Sequence, residues 1–249
     1  MRTSIHALLG LGTLLLSSPV FAQSETDPPS PITINGSATI VSDYRFRGIS
    51  QTDKRFAVQG SLTATHESGF YVSVWGSSID DYVASGADQE IDLIAGFKKT
   101  TAGGTTIDVG VLYYYYPGSG GANTDFVEPY AAISQTFGPV PGKVSAAYAP
   151  KQKALTIGAG SEDNLYVAGD LSAAIPSTPF SISGHLGHSF GPSYLTIGDG
   201  YTDWNVGLGY TWKAITFGVQ YVDTDGDFIT PKGRNASKAG VVASVGVAF

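Results

Sequence analysis

Hydrophobic residues along this chain recur at every second position, in runs of about ten residues separated by turn-forming stretches. In one run Trp204, Val206, Leu208, Tyr210 and Trp212 share a face, opposite Asn205, Gly207, Gly209 and Thr211. Ile91, Leu93, Ala95 and Phe97 likewise oppose Glu90, Asp92, Ile94, Gly96 and Lys98, and Ile107, Val109, Val111, Tyr113 and Tyr115 oppose Asp108, Gly110 and Leu112. The last run sets Val241, Ala243, Val245, Val247 and Phe249 against Gly240, Val242, Ser244, Gly246 and Ala248. A helical period explains none of these. Twelve runs are predicted to be strands, over about 33–44, 56–66, 69–79, 89–99, 105–116, 125–137, 142–150, 163–175, 178–190, 201–213, 214–223 and 238–249.

The connections alternate as well. Short joints at Glu67-Ser68-Gly69, 100–104, 138–141, Pro176-Ser177 and Lys213-Ala214 are interleaved with long, polar, Gly-rich stretches at 80–88, 117–124, 151–162, 191–200 and 224–237. Such alternation collects the short turns at one end of a sheet and the long loops at the other, makes the strand number even, and leaves both chain ends on the short-turn side. The expected fold class is therefore all-β, a transmembrane antiparallel β-barrel of twelve strands over 32–249 with periplasmic turns and outer loops. Twelve strands, six loops and five turns require roughly 210 residues, which leaves no room for a second domain. Aromatic residues at both ends of the Trp204–Trp212 run fit girdles at the two membrane interfaces. A secreted soluble β-sandwich would also alternate, but needs neither strands this long and even nor an aromatic last residue.

Upstream of the strands, Arg2, the apolar stretch Ala7 to Leu16 and Val20-Phe21-Ala22 read as a signal peptide over 1–22, with the mature chain starting at Gln23 and a polar, Pro-rich segment over 23–31. Export follows, and the bacterial outer membrane is the expected location. No later stretch has the ~18 consecutive apolar residues of a spanning helix, so any later crossing is made by strands. The 249 residues include no Cys, 32 Gly, 14 Tyr and 12 Phe, and only 14% are charged. The absence of cysteine removes disulfide frameworks and thiolate metal sites, while a net charge of −7 argues against nucleic acid as a partner.

The segment Ser42-Asp43-Tyr44-Arg45-Phe46-Arg47-Gly48-Ile49-Ser50-Gln51-Thr52-Asp53 resembles the TorF family of porin-like outer-membrane proteins of proteobacteria. The resemblance continues through Ala57 to Gly60, His66 to Tyr71, Trp75, Asp108-Val109-Gly110, Tyr113 to Gly118, Tyr201 to Trp204 and Tyr221 to Asp225, so it spans nearly the whole mature chain. Phe56 departs from the family, which tends to have Pro there, and Pro129 interrupts a strand, where the missing ladder donor suggests a bulge. The resemblance implies a porin-like barrel of undefined substrate.

Candidate chemistry changes this picture little. His185-Leu186-Gly187-His188-Ser189 invites comparison with a barrel lipid hydrolase, but no Asn-Gly-Arg follows the serine, and the two histidines face opposite sides of a strand, His185 the lumen and His188 the interface. No enzyme activity and no cofactor are expected. Asp223-Thr224-Asp225-Gly226-Asp227 opens like a calcium loop and then fails, with Phe228 where Gly is needed and Arg234 where a bidentate Glu belongs. Gly158-Ala159-Gly160 and Gly207-Leu208-Gly209 lack the strand-to-helix context of a nucleotide loop, and the tyrosines 113–116 read as interfacial before they read as a sugar platform.

Passive diffusion of small hydrophilic solutes or ions is the leading expectation, ahead of a solute-specific channel and of a non-conducting structural barrel. The expected partners are outer-membrane lipids, the barrel assembly machinery and the solutes themselves. Inward sets such as Gln59, Ser61, Thr63, Thr65 and Ser181, Ser183, His185 would wet a lumen. Parity places Asp43, Arg45 and Arg47 inward at the outer end of the first strand, and Glu90, Asp92 and Glu128 inward near the outer ends of theirs. The expectation is a constriction with arginines on one wall and carboxylates on the other, biasing ion entry weakly towards cations, against the alternative of local Asp43–Arg45 pairing at a solvated rim.

Overall fold

The computed structural model describes residues 31–249, apart from 159 and 197. The signal peptide expected over 1–22 lies outside the described residues, as does all but Pro31 of the Pro-rich segment. Twelve antiparallel strands close into one barrel. Along the chain the strands are β1 (Ile32–Val41), β2 (Arg45–Phe46), β3 (Ile49–Ser50), β4 (Ala57–His66), β5 (Phe70–Ser78), β6 (Gln89–Thr100), β7 (Thr106–Tyr115), β8 (Phe126–Phe137), β9 (Val140–Gln152), β10 (Glu162–Ala174), β11 (Phe180–Ser193), β12 (Gly198–Trp212), β13 (Ile215–Thr224) and β14 (Gly240–Ala248). Neighbours in the chain are neighbours in the barrel, and β2 and β3 stand apart as a separate two-stranded hairpin. Closure falls to β1 and β14, paired from Ser37↔Ala248 to Val41↔Ser244. Beyond that ladder Gly36 and Phe249 exchange both backbone hydrogen bonds, at 2.8 and 3.0 Å.

Period two becomes an outside and an inside. Ile34, Val58, Val72, Leu93, Val144, Leu171, Val206 and Val241 are exposed on the outer wall, an apolar band that water would penalise and hydrocarbon would not. Exposed rings flank this band: Phe70, Phe137, Phe180, Trp212 and Phe217 towards the short turns, and Phe56, Tyr115, Tyr148, Phe190 and Tyr221 towards the long loops. The inner wall is crowded. Tyr71 lies over Gly96, where an added Cβ would sit 2.6 Å from its hydroxyl, and Tyr166 crosses Gly187 at a distance that admits no side chain. Glycine here makes room for a neighbouring strand's ring.

Three details differ from the sequence pattern. The first strand stops at Val41 rather than running to 44, because the Ser42 hydroxyl and amide take up the last ladder bonds, with Ala243. Pro129 carries no bulge: β7 and β8 stay in register through Val111↔Pro129. On its other side the β8–β9 ladder simply begins at Tyr130↔Ala147. Beyond it the Gln152 side-chain amide replaces the missing backbone partner, bonding both N–H and C=O of Val127 at 2.8 and 2.9 Å. Register shifts lie instead between Glu162 and Asn164 and between Phe190 and Ser193.

Candidate functional site: an inward hairpin and the walls it meets

After Val41 the chain leaves the barrel wall and turns inward. Arg45↔Ser50 and Phe46↔Ile49 pair across a two-residue turn, Arg47-Gly48, with φ of 47° and 82°. Positive φ at both central positions is the geometry of a type I′ hairpin, which glycine adopts freely and arginine rarely. What holds Arg47 there is the wall it reaches. Its Nη2 donates to both oxygens of Glu128 at 2.7 and 2.8 Å, its Nη1 donates to Asn164 Oδ1 at 2.9 Å, and its guanidinium lies 4.1 Å from the Tyr166 ring centroid.

The hairpin touches most of the barrel. Tyr44 packs on Trp75 of β5 and donates to Glu90 of β6 at 2.8 Å; Phe46 meets Tyr114 of β7 edge-on. Gly48 lies so close to Asp203 of β12 that a Cβ there would come within 2.8 Å of it. Residues 42–56 therefore lie across the lumen at the long-loop end. Beside them Trp75, Leu112, Tyr114, Tyr116 and Phe126 form an apolar cluster with Tyr44, Ile79, Ala84 and Leu155.

This placement corrects the constriction expected from parity. Asp43, Arg45 and Arg47 are not on the wall of the first strand, since β1 has ended and they belong to the inward segment. Arg45 Nε is 2.6 Å from Asp43 Oδ2 and its Nη1 donates to the carbonyls of Gly48, Ala236 and Lys238. Glu90, Asp92 and Glu128 do face inward, but at 2%, 0% and 3% exposure they are packed beneath the hairpin rather than spread along open water. Arg47 and Glu128 form one neutral clasp, with Tyr114 donating to the same carboxylate at 3.1 Å.

The pattern left other partners unseen. His185 faces the lumen between two acids, with Nδ1 2.7 Å from Asp170 and Nε2 3.1 Å from Asp203. Lys143 lies 2.8 Å from Asp170, and Tyr166 donates to Asp203 at 3.0 Å. A continuous polar chain thus runs from β9 through Tyr166 to Arg47. No sequence spacing relates these residues; inward parity on adjacent strands is the one signal that could have grouped them. Ser189 pairs with Asn164 and His188 with Thr202, so within 185–189 no serine–histidine pair forms. Asp223, Asp225 and Asp227 each accept from a different donor, the Thr224 amide, the Thr202 amide and the Asn235 side chain, and no trio of metal-ligating side chains converges among the described residues.

Loops cover the hairpin from outside. Tyr82 donates to the Ser50 carbonyl, the Asp80 amide to the Gln51 carbonyl at 2.7 Å, and the Ser50 amide to the Ala236 carbonyl at 2.9 Å. The Asp80 carboxylate, 3% exposed, takes both Arg55 and Lys232. By contrast, the inner wall of β1, β4 and β5 is uncharged, with Ser37 bonded to Ser61 and Thr63 to Ser73, each at 2.7 Å.

The chain belongs to a family described as bacterial proteins of unknown function (Gcw_chp), whose model matches residues 25–249. No curated protein sequence matches it. Among solved structures it is similar to the NanC porin, with a TM-score of 0.60 at 13% identity over 87% of this chain and 99% of that one. An outer-membrane channel of Pseudomonas putida F1 gives 0.47 at 12% identity, over 90% and 99%.

Proposed function

We propose that this member of the Gcw_chp family is an outer-membrane channel through which small hydrophilic solutes pass passively, and that the 42–56 segment narrows it at the outer end. The observation that carries this reading is the asymmetry of the inner wall. Hydroxyl side chains on β1, β4 and β5, with Gln220 and Ser244 on β13 and β14, are half-buried and uncharged, away from the hairpin's clasp on Glu128. Such a surface hydrogen-bonds a passing solute without holding it. The charges of the opposite wall are mostly absorbed in pairs, so sieving by size and polarity outweighs sieving by charge. The apolar outer band supports residence in the outer membrane, and the motif at 42–53 supports the finer TorF-like assignment; export with cleavage after Ala22 completes the reading.

Twelve strands lie between the filled eight-stranded barrel and the open sixteen-stranded porin. A segment crossing the lumen favours the narrow, solute-selective form over the wide one. Reconstitution into planar bilayers tests the proposal: small, discrete current steps are expected, with uncharged polyols of increasing size reducing them up to a sharp cut-off. A silent bilayer, accompanied by no swelling of liposomes in small sugars, would leave a non-conducting structural barrel in its place.

A further inference from the structure

Where β1 ends, the long-loop rim of the barrel is notched. The chain turns inward at Ser42, β4 does not begin until Ala57, and a cleft of about 590 Å³ opens between Ser42, Lys54, Arg55, Phe56, Ser78 and Asp80. The cleft lies where the apolar outer wall gives way to charge. Phe56, 75% exposed, follows Lys54 and Arg55 and stands just beyond the exposed pair Ile40↔Val58. Further down the same outer face Ala38, Gly60 and Gly76 are paired across β1, β4 and β5, so no large side chain fills the wall there.

The charge of this corner runs against that of the chain, whose net value is −7. Its acids are taken: Asp43 by Arg45, Asp53 by Arg234, and Asp80 by Arg55 and Lys232. Lys54 and Lys238 are exposed and enter no ion pair among the described residues. Cations crowd one another here: Lys54 is held below the usual lysine range, by partial burial first and then by the charges of Arg45 and Lys238. Ser78 Oγ accepts from the Val58 amide at 3.1 Å, which leaves its own proton for another acceptor. Two unpaired ammoniums and a hydroxyl beside an exposed ring suit an anion, and at headgroup level the anions of a membrane are lipid phosphates.

We propose that this cleft binds the phosphate of an outer-leaflet glycolipid, with Lys54 and Lys238 flanking the phosphate, Ser78 donating to it and Phe56 beside the acyl chains. Lysine holds phosphate as a point charge. Two of them match a phosphate monoester, which carries nearly two charges, better than a singly charged diester. The low wall at Ala38, Gly60 and Gly76 gives an acyl chain room against the barrel. The site rests on the outer-membrane placement proposed above but not on conduction, and a barrel that passes no current would still bind the lipid.

Native mass spectrometry of the full chain in detergent, with purified bis-phosphorylated lipid A as the probe, decides. The wild type should retain the lipid, and Lys54→Gln with Lys238→Gln should weaken binding by about thirtyfold, the combined effect of two cations near a charged lipid surface. Both lysines are exposed, so the folded barrel should survive the change. Lipid A stripped of its phosphates should bind the wild type as weakly as intact lipid A binds the double variant. Lys99→Gln with Lys213→Gln, which removes exposed cations at the short-turn end, should bind as the wild type does. No retention by the wild type, equal retention of the dephosphorylated lipid, or an equal loss in the short-turn variant would overturn the site. Displacement of lipid A by micromolar inorganic phosphate would make it a site for the free ion and overturn the lipid as its ligand.

Discussion

At the scale of single residues, Arg47 decides how firmly the hairpin is seated. Its bidentate clasp on Glu128 is buried on both sides, with side-chain exposures of 6% and 4%. A buried ion pair adds little beyond an apolar pair of the same shape, because desolvation offsets most of the attraction. Removing one partner is different: it strands the other charge, at a cost of about 3–5 kcal/mol. Arg47→Ala should therefore release the hairpin, raising single-channel conductance and lowering the stability of the folded barrel. Arg47→Lys should do the same more mildly, since an ammonium cannot bridge both oxygens. Unchanged current and unchanged melting in Arg47→Ala would show that the clasp holds nothing in place. The sequence displayed Arg47 as an inward charge because parity continues through Ser42; Gly48 between Phe46 and Ile49 is a turn residue, but Arg47 before it is not one that hairpin turns favour, so the local pattern did not announce the hairpin. Its partner Glu128 lies 81 residues away, a pairing that no local pattern encodes.

At the scale of elements, the outer loops act on the hairpin through Asp80. Burial works to raise its carboxyl, but the hydrogen bonds it shares with Asp81, Lys232 and Arg55 outweigh this and hold it at about 2. A carboxyl whose folded value is depressed contributes stability above its unfolded value, near 4, and loses it as the pH falls through the folded one. The junction between residues 50–55, 78–83 and 230–234 should then loosen between about pH 4 and about pH 2. Hydrogen exchange read at the Asp80 and Ser50 amides should show protection falling over that interval in the wild type. Asp80→Asn should be poorly protected at every pH, and a wild-type profile flat down to pH 2 would contradict the assignment. These loops were legible as loops from their glycines and polar residues. Their mutual packing was not, because Lys232 and Asp80 meet only once the barrel has brought the β5–β6 and β13–β14 connections to one rim.

For the whole molecule, the strand count and the long/short rhythm could be read directly, because one outer face must be apolar at every second residue from Ile34 to Val247. Closure is the step that local alternation cannot specify. It depends on the register of β1 against β14, and the pair beyond that ladder, Gly36 and Phe249, pins it with two backbone bonds and a ring lying over the glycine. An added Cβ at residue 36 would meet that ring at 2.6 Å, so the two residues fit only as glycine and a covering aromatic. Deleting Phe249 removes both the bonds and the ring and should sharply reduce folded barrel in the outer membrane, measured as the heat-modifiable form on a gel. Phe249→Ala keeps the backbone bonds and separates the two contributions: loss equal to that of the deletion assigns the effect to the ring, and near-normal assembly assigns it to register. Gly36→Ala should impair assembly in the presence of Phe249 and be tolerated beside Phe249→Ala, because the collision then disappears. Normal assembly of the deletion would show that β1 and β14 find their register without this pair, and closure would rest on the ladder from Ser37 to Val41 alone.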